Sequence, residues 1–389
     1  MLPSGWHRTT VGESASFLTG FPFASAEFES NGVRLLRGSN VKRAVVDWNP
    51  EITQHWPRSD SALRMYELKA GDIVIAMDGA LVGRSFARIS ERDLPAYLVQ
   101  RVARLRGNIV DQSLLYAWIT SSSFATHIDS LKTNSAIPHL SPHDIRGFAF
   151  ISPSSTDEQR SIAAAIDDIT DLIVSLERLI AKKQAMKQGM MQELLTGKSR
   201  LPGFDTPWRE TTLGAVCRIK TGKRNNQDKN EGGRYPFYVR SATVERIDSY
   251  SYDCEAILVP GEGNIGSIFH YMDGKFEVHQ RVYKISDFTD EVVGKFVFYF
   301  MRHFFGKHAM ENSVKATVDS LRLPTFKSFL VAVPTRREEQ NAIADVLDAA
   351  DAEILALKRR LASLRNIKQG MMQELLTGRT RLKIVEAAA

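Results

Sequence analysis

Apolar residues along the chain fall into two long, regular stripes separated by less regular stretches. From Ile162 they recur at 162, 166, 169, 173, 176 and 180, and Met190 and Leu194 rejoin the register after Lys183 and Lys187. Ile343, Leu347, Ala350, Ile354, Leu357, Leu361, Leu364, Met371 and Leu375 keep the same alternating steps of four and three. This is the a/d pattern of a coiled coil, and each stripe is the natural partner of the other. Thr156-x-x-Gln159 and Thr335-x-x-Glu338 have capping-box spacing and follow Pro153 and Pro334. Gly197 and Gly378 stand where a left-handed C-cap belongs. About forty residues at ~1.5 Å each predict helices of roughly 60 Å.

The two stripes are copies. Lys187 to Gly197 and Lys368 to Gly378 both read KQGMMQELLTG, an offset of 181, and across 153–201 and 334–382 about 23 of 49 positions are identical. Upstream, Trp6-His7-Arg8-Thr9-Thr10-Val11-Gly12 and Thr19-Gly20 match Trp208-Arg209-Glu210-Thr211-Thr212-Leu213-Gly214 and Thr221-Gly222 at an offset of 202. Fainter landmarks follow in order. Arg37 and Val41 stand beside Arg240 and Val244, Asp78-Gly79 beside Glu262-Gly263, and Gln100-Arg101-Val102 beside Gln280-Arg281-Val282. The offset falls by 21, so the first globular part is longer by that amount. Self-similarity of this kind reveals architecture directly: two halves, each a divergent globular part followed by a near-identical helix.

In the globular parts, β-rich runs such as Asp72–Met77 and Ala256–Val259 end in Gly-rich turns, and apolar helical stretches follow at Leu114–Ile119 and Phe296–Phe304. The predicted fold class is α+β: two α/β domains separated by two long antiparallel coiled-coil helices, with a pseudo-twofold internal repeat. The predicted boundaries are 1–152 and 202–333 for the globular domains, 153–201 and 334–382 for the spacer helices, and 383–389 for a tail.

Charge adds a partner class. Lys and Arg number 51 against 45 Asp and Glu, net +6, which suits a polyanion. Basic and amide residues cluster on the predicted loops: Arg37, Ser39, Asn40, Lys42, Arg43 and Arg84 in the first half; Lys223, Arg224, Asn225, Asn226, Arg240 and Asn264 in the second. Such side chains reach phosphates and base edges, with Arg suited to guanine and Asn or Gln to adenine. They are the candidate DNA contacts. Gln100-Arg101 and Gln280-Arg281, on strand-like runs, are also compatible with a plain sheet edge. Helices kept nearly identical have one shared task, whereas domains that drifted apart suit two different targets, as in a bipartite, asymmetric DNA site. The exposed letters of the duplicated tract, Gln188, Gln192 and Glu193 with Gln369, Gln373 and Glu374, are candidates for holding a partner protein.

Together these features resemble the specificity (S) subunits of type I restriction-modification systems over essentially the whole chain. GWHRTTVGESASFLTG and PWRETTLGAVCRIKTG open the halves, LLRGSNV follows the first, DEQRSIAAAID and EEQNAIADVLD start the helices, and QGMMQELLTG ends them. The resemblance implies two target-recognition domains reading a split double-stranded DNA sequence. It also implies helices that bind two methyltransferase subunits and, through them, restriction subunits. Circular closure of the two halves is implied in the same way.

Catalytic chemistry is not expected. The turn Gly261-Glu262-Gly263-Asn264-Ile265-Gly266 lacks the Lys of a phosphate loop. Asn49-Pro50-Glu51 is no substitute for the adenine-methyltransferase tetrapeptide, and neither Glu277 near Lys275 nor Asp157-Glu158-Gln159-Arg160 forms a nuclease or helicase motif. Cys217 and Cys254 lack metal-ligand spacing, so no metal, disulfide or cofactor is expected. With no apolar run of membrane length and no signal-like start, the expected location is the cytoplasm. The competing reading is a coiled-coil scaffold carrying two protein-binding domains, which salt-sensitive duplex binding separates from the first.

Overall fold

The heptad stripes become two helices of equal length in a computed structural model that describes residues 2–57, 59–79, 81–131, 139–312 and 320–382. Helix α5 runs Thr156–Leu194 and helix α9 runs Arg337–Leu375, 39 residues each. The chain divides into two units, Met1–Ser175 with Leu361–Ala389, and Leu176–Arg360. The tail expected at 383–389 lies outside the described residues.

The first unit opens with β1 (Trp6–Thr10), α1 (Val11–Ser14) and β2 (Ala15–Thr19). Thr10 and Glu13 form a capping box that turns the chain between the strands. Then come β3 (Val33–Leu36), β4 (Gln54–Trp56), β5 (Ile73–Ala76), β6 (Phe86–Arg88), β7 (Ala96–Leu98) and β8 (Val102–Gly107). They form a four-stranded sheet in the order β2-β8-β5-β6 and a three-stranded one in the order β4-β3-β7. Helices α2 (Gln112–Ile119), α3 (Ser122–Leu131) and α4 (Pro142–Arg146) lead to β9 (Ala149–Pro153), which pairs antiparallel with β1 and delivers the chain to α5.

The second unit repeats the plan. Strand β10 (Trp208–Thr212), α6 (Leu213–Val216) and β11 (Arg218–Thr221) open it. Strands β12 (Tyr235–Tyr238), β13 (Val244–Ile247), β14 (Tyr252–Pro260), β15 (His270–Val278) and β16 (Val282–Ser286) join β11 in one sheet ordered β11-β16-β14-β15-β12-β13. Helices α7 (Gly294–Glu311) and α8 (Leu323–Lys327) precede β17 (Leu330–Pro334), the antiparallel partner of β10. Leu36 pairs parallel with Leu98 as Tyr238 does with Val278. The offset is still 202 at Leu36 and Tyr238 and has dropped to 184 at Asp78 and Glu262, so most of the first unit's extra residues lie between β3 and β5.

The shared Thr-Gly landmarks have a steric cause. A Cβ on Gly20 would sit 2.2 Å from the Val99 carbonyl, and one on Gly222 would sit 2.0 Å from that of Val278; only glycine admits so close a backbone approach.

The seam is buried as its period predicts, with Ile162, Ile166, Ile169, Ile173, Leu176 and Ile180 on α5 and Ile343, Leu347, Ile354, Leu361 and Leu375 on α9 inside. In the first unit Ile162 and Ile166 share a core with Leu375 and Leu376; in the second Leu194 and Leu195 share one with Ile343 and Leu347. The ion pairs Lys183–Glu353 and Lys187–Asp351, at 2.7 and 2.5 Å, run in opposite sequence directions, so these helix segments are antiparallel. Gly197 and Gly378 have φ of +68° and +66°, the left-handed C-caps expected of them.

The predicted capping boxes do not form. Ser155, one residue earlier, accepts from the Glu158 N–H, and the Thr335 hydroxyl donates to the Pro207 carbonyl. The buried amides of Gln159 and Gln340 instead tie helix to strand. Gln159 donates to the Pro153 carbonyl at 2.8 Å and accepts from the Asp111 N–H at 2.7 Å. Gln340 donates to the Pro334 carbonyl at 2.8 Å and accepts from the Val293 N–H at 2.7 Å. Glu158 and Glu339, also buried, accept paired bonds from Arg381 and Arg200. Arg381 further donates to the Ser4 carbonyl at 3.1 Å, so the chain's C-terminal stretch closes the first unit.

Candidate nucleic-acid interface

Each unit presents one exposed turn built in the same way. In the first, the Val102 N–H donates to the Val99 carbonyl at 3.2 Å; in the second, the Val282 N–H donates to the His279 carbonyl at 3.0 Å. Gln100-Arg101 and Gln280-Arg281 are the central residues of these turns, all four exposed. Arg101 carries a φ of +67°, an uncommon setting for a residue with a Cβ. Neighbouring strands fix both turns from below: the Met77 N–H donates to the Arg101 carbonyl and the Gly261 N–H to that of Arg281, both at 2.9 Å.

One residue beyond those donors stands a carboxylate. Glu262 accepts from Arg240 at 3.3 Å and pairs with Arg281 at 3.0 Å. Asp78 pairs with Arg101 at 3.5 Å and hydrogen-bonds His139, whose other ring nitrogen lies 3.2 Å from an Arg101 Nη. In the second unit the site extends sideways. The Gln280 amide donates to Asn225 Oδ1 at 2.5 Å, and Arg224 reaches the buried Glu277 at 3.5 Å and Ser249 at 3.2 Å. Burial and the neighbouring Arg240 and Arg281 hold the His279 imidazole below its ordinary range, and its Nδ1 accepts from the Arg281 N–H at 3.0 Å.

Of the residues singled out in the sequence, Arg224, Asn225 and Arg240 gather around the second turn, with Lys223 exposed beside them and Asn264 exposed two positions after Glu262. Asn226 is exposed at the start of a short 3-10 turn. Ser39, Lys42 and Arg43 are exposed on the β3–β4 connection, while the Arg37 guanidinium lies 5.9 Å over the Phe28 ring. Asn40 is a correction: it is fully buried, its Oδ1 accepts from the Arg37 N–H and its Nδ2 donates to the Asp47 carbonyl. It shapes the loop and does not face a ligand. Arg84 stands apart, bonded through both terminal nitrogens to Asp129 at 2.9 and 2.6 Å. The pattern missed Asp78, Glu262 and His139, although the carboxylates occupy matched places in the two halves.

The duplicated tract lies beside two grooves, one in each unit. One of about 470 Å³ is lined by Arg43, Arg84, Lys368, Gln369 and Gln373; the other, about 280 Å³, by Lys187, Gln188, Arg302 and His303. Gln192 bonds His303 at 3.0 Å. Glu193 accepts from the Ser199 hydroxyl at 2.8 Å and Glu374 from that of Thr380 at 3.2 Å, so both glutamates secure the turns beyond the helices.

Burial pushes the Cys217 thiol up to about 12 and it donates to the Leu213 carbonyl, an unreactive setting. Among the described residues no cluster of His, Cys, Asp and Glu is arranged to hold a metal ion, and no helix is long and apolar enough to cross a membrane.

The family model of the type I restriction modification DNA specificity domain matches residues 206–366. The Escherichia coli type I restriction enzyme EcoAI specificity subunit is 35% identical over 185 residues, 46% of this chain and 31% of its own length. The EcoDI specificity subunit of the same organism is 31% identical over 170 residues, 44% and 37% of the two lengths. The matches thus span about a third of these curated relatives. The fold is similar to that of the type I restriction-modification S subunit from M. genitalium, with a TM-score of 0.70 and 16% identity over 95% of this chain and 96% of that one. Residues 206–366 thus match a type I restriction modification DNA specificity domain, and the chain is similar to curated type I specificity subunits over part of their length.

Proposed function

We propose that this chain is the non-catalytic, sequence-reading subunit of a type I restriction-modification complex. Residues 1–152 and 202–333 each read one half of a split, asymmetric duplex target. The duplicated helices, 153–201 and 334–382, act as the spacer and dock two methyltransferase subunits and, through them, restriction subunits. Gln188, Gln192, Glu193, Gln369, Gln373 and Glu374 belong to that docking face. Arg37, Ser39, Lys42, Arg43, Arg84, Lys223, Arg224, Asn225, Arg240 and Asn264 belong to the DNA-facing surfaces, and the complex works in the cytoplasm.

The observation that carries this reading is the turn shared by the two units. The same backbone scaffold presents Gln-Arg in both, yet its surroundings differ, Asp78 and His139 in one, Glu262, Arg240 and Asn225 in the other. A common frame with divergent reading groups suits two different half-sites.

The test is to express the chain with its cognate methyltransferase subunit and map N6-methyladenine across the host DNA by long-read sequencing. A split motif that vanishes without this chain supports the reading, and exchanging residues 1–152 for another such domain then changes one half-site alone. An intact complex without methylation sinks the DNA-reading role and favours a scaffold.

A further inference from the structure

The carboxylates beneath the two turns are unexpected on a surface meant for a polyanion. Asp78 and Glu262 stand at matched positions, each followed by a backbone bridge to a later segment, Asp78 to His139 and Glu262 to Ser320. Their partners are well exposed: the side chains of Arg101, Arg240 and Arg281 are 60, 50 and 59% accessible. Ion pairs this exposed add little to stability, so stability does not explain a carboxylate kept there twice while the surrounding residues diverged.

Electrostatics offers an explanation. A phosphate approaching Arg101 or Arg281 also meets the carboxylate, which cancels the single positive charge of the first cluster and one of the two in the second. Arg101 so clamped has little net attraction for the backbone, and Arg240 and Arg281 together keep one uncancelled charge. Each arginine still has unused N–H donors in a fixed fork, the geometry that matches O6 and N7 of guanine.

We propose that the clamped arginines, Arg101 in the first unit and Arg240 with Arg281 in the second, read base edges. Asp78 and Glu262 are the specificity residues that orient them and keep phosphates from occupying them. This rests on the DNA-reading function proposed above and assigns its chemistry to particular atoms. Lys223, exposed and outside the clamp, supplies backbone attraction instead.

The test uses the full chain assembled with its methyltransferase subunit. Binding is measured across a salt series to a duplex carrying the mapped target and to duplexes with one half-site scrambled. Arg281→Ala is expected to cut the preference for the second unit's half-site by about tenfold or more, with binding to a duplex in which that half-site is scrambled changed far less. Arg281→Lys, which keeps the charge and the backbone turn but loses the fork, is expected to lose the same preference. Glu262→Gln is expected to bind scrambled duplex severalfold more tightly, with a steeper salt slope and a reduced preference. Equal weakening on all duplexes by Arg281→Ala, with the half-site preference intact, marks a phosphate contact and overturns the proposal. So does full preference in Arg281→Lys, or unchanged behaviour of Glu262→Gln. If the unaltered complex itself shows no preference, the DNA-reading function fails and takes this inference with it.

Discussion

Arg200 grips Glu339 through two bonds, Nε at 2.6 Å and Nη2 at 2.7 Å from its carboxylate oxygens, across 139 positions of sequence. Glu339 is fully buried and Arg200 nearly three-quarters covered. Removing one partner of a buried pair strands the other's charge. Arg200→Ala is therefore expected to destabilise the second unit by about 2–3 kcal/mol, below the usual cost of breaking a fully buried pair because water reaches the site. Urea unfolding checks this, and Arg200→Ala with Glu339→Gln should recover part of the loss. Arg381→Ala is expected to act in the same direction on the first unit.

The Gln340 amide satisfies a buried N–H and a buried carbonyl at once. Gln340→Ala leaves the Val293 N–H and the Pro334 carbonyl unpaired, at about 1–3 kcal/mol for each buried group. The expected outcome is a lower urea midpoint with an unchanged slope. Gln159→Ala should match it in the first unit, and equal midpoints for variant and parent would refute the role.

Lys223→Ala and Arg224→Ala separate two kinds of basic residue. Lys223 is exposed, whereas Arg224 also supports the buried Glu277. Lys223→Ala should weaken duplex binding about equally on all sequences and lower the salt slope by about one. Arg224→Ala should in addition lower thermal stability, which calorimetry of the free chain reads directly.

His279 couples the second turn to pH. Its folded pKa lies below the unfolded value of about 6.5. Between the two values the unfolded chain binds more protons, so stability rises with pH there and is lost as pH falls below about 6.5. His270 and His303, also lowered by burial, act in the same sense. The thermal midpoint should fall from pH 7 to 5.5. His279→Asn, which keeps an acceptor for the Arg281 N–H, should flatten that fall by up to about 1.4 kcal/mol per pH unit.

The helices, their antiparallel seam and the glycine caps were legible because heptads and caps are local patterns, here written twice. The capping boxes were misread. The three-residue spacing is also that of an amide reaching sideways, and nothing near Gln159 announces Asp111, 48 positions away. Asn40 looked like a loop contact because its neighbours are basic, yet its burial depends on the Asp47 carbonyl. For the site, the Gln-Arg pairs and the Asp and Glu landmarks were visible as matched letters. That the carboxylates lie under the arginines emerges only when strands distant in sequence meet.

The discontinuity of the first unit sets an order of events during synthesis. The second unit is a single stretch, Leu176–Arg360, whereas the first needs residues from Leu361 onward. Glu158 leaves the ribosome 223 positions before Arg381, a wait of about 10–45 s at ordinary elongation rates. The half made first is thus the half completed last. A chain ending at residue 360 and arrested through an added linker long enough to clear the ribosome exit tunnel should show a protease-resistant second unit beside a first unit still open at Glu158.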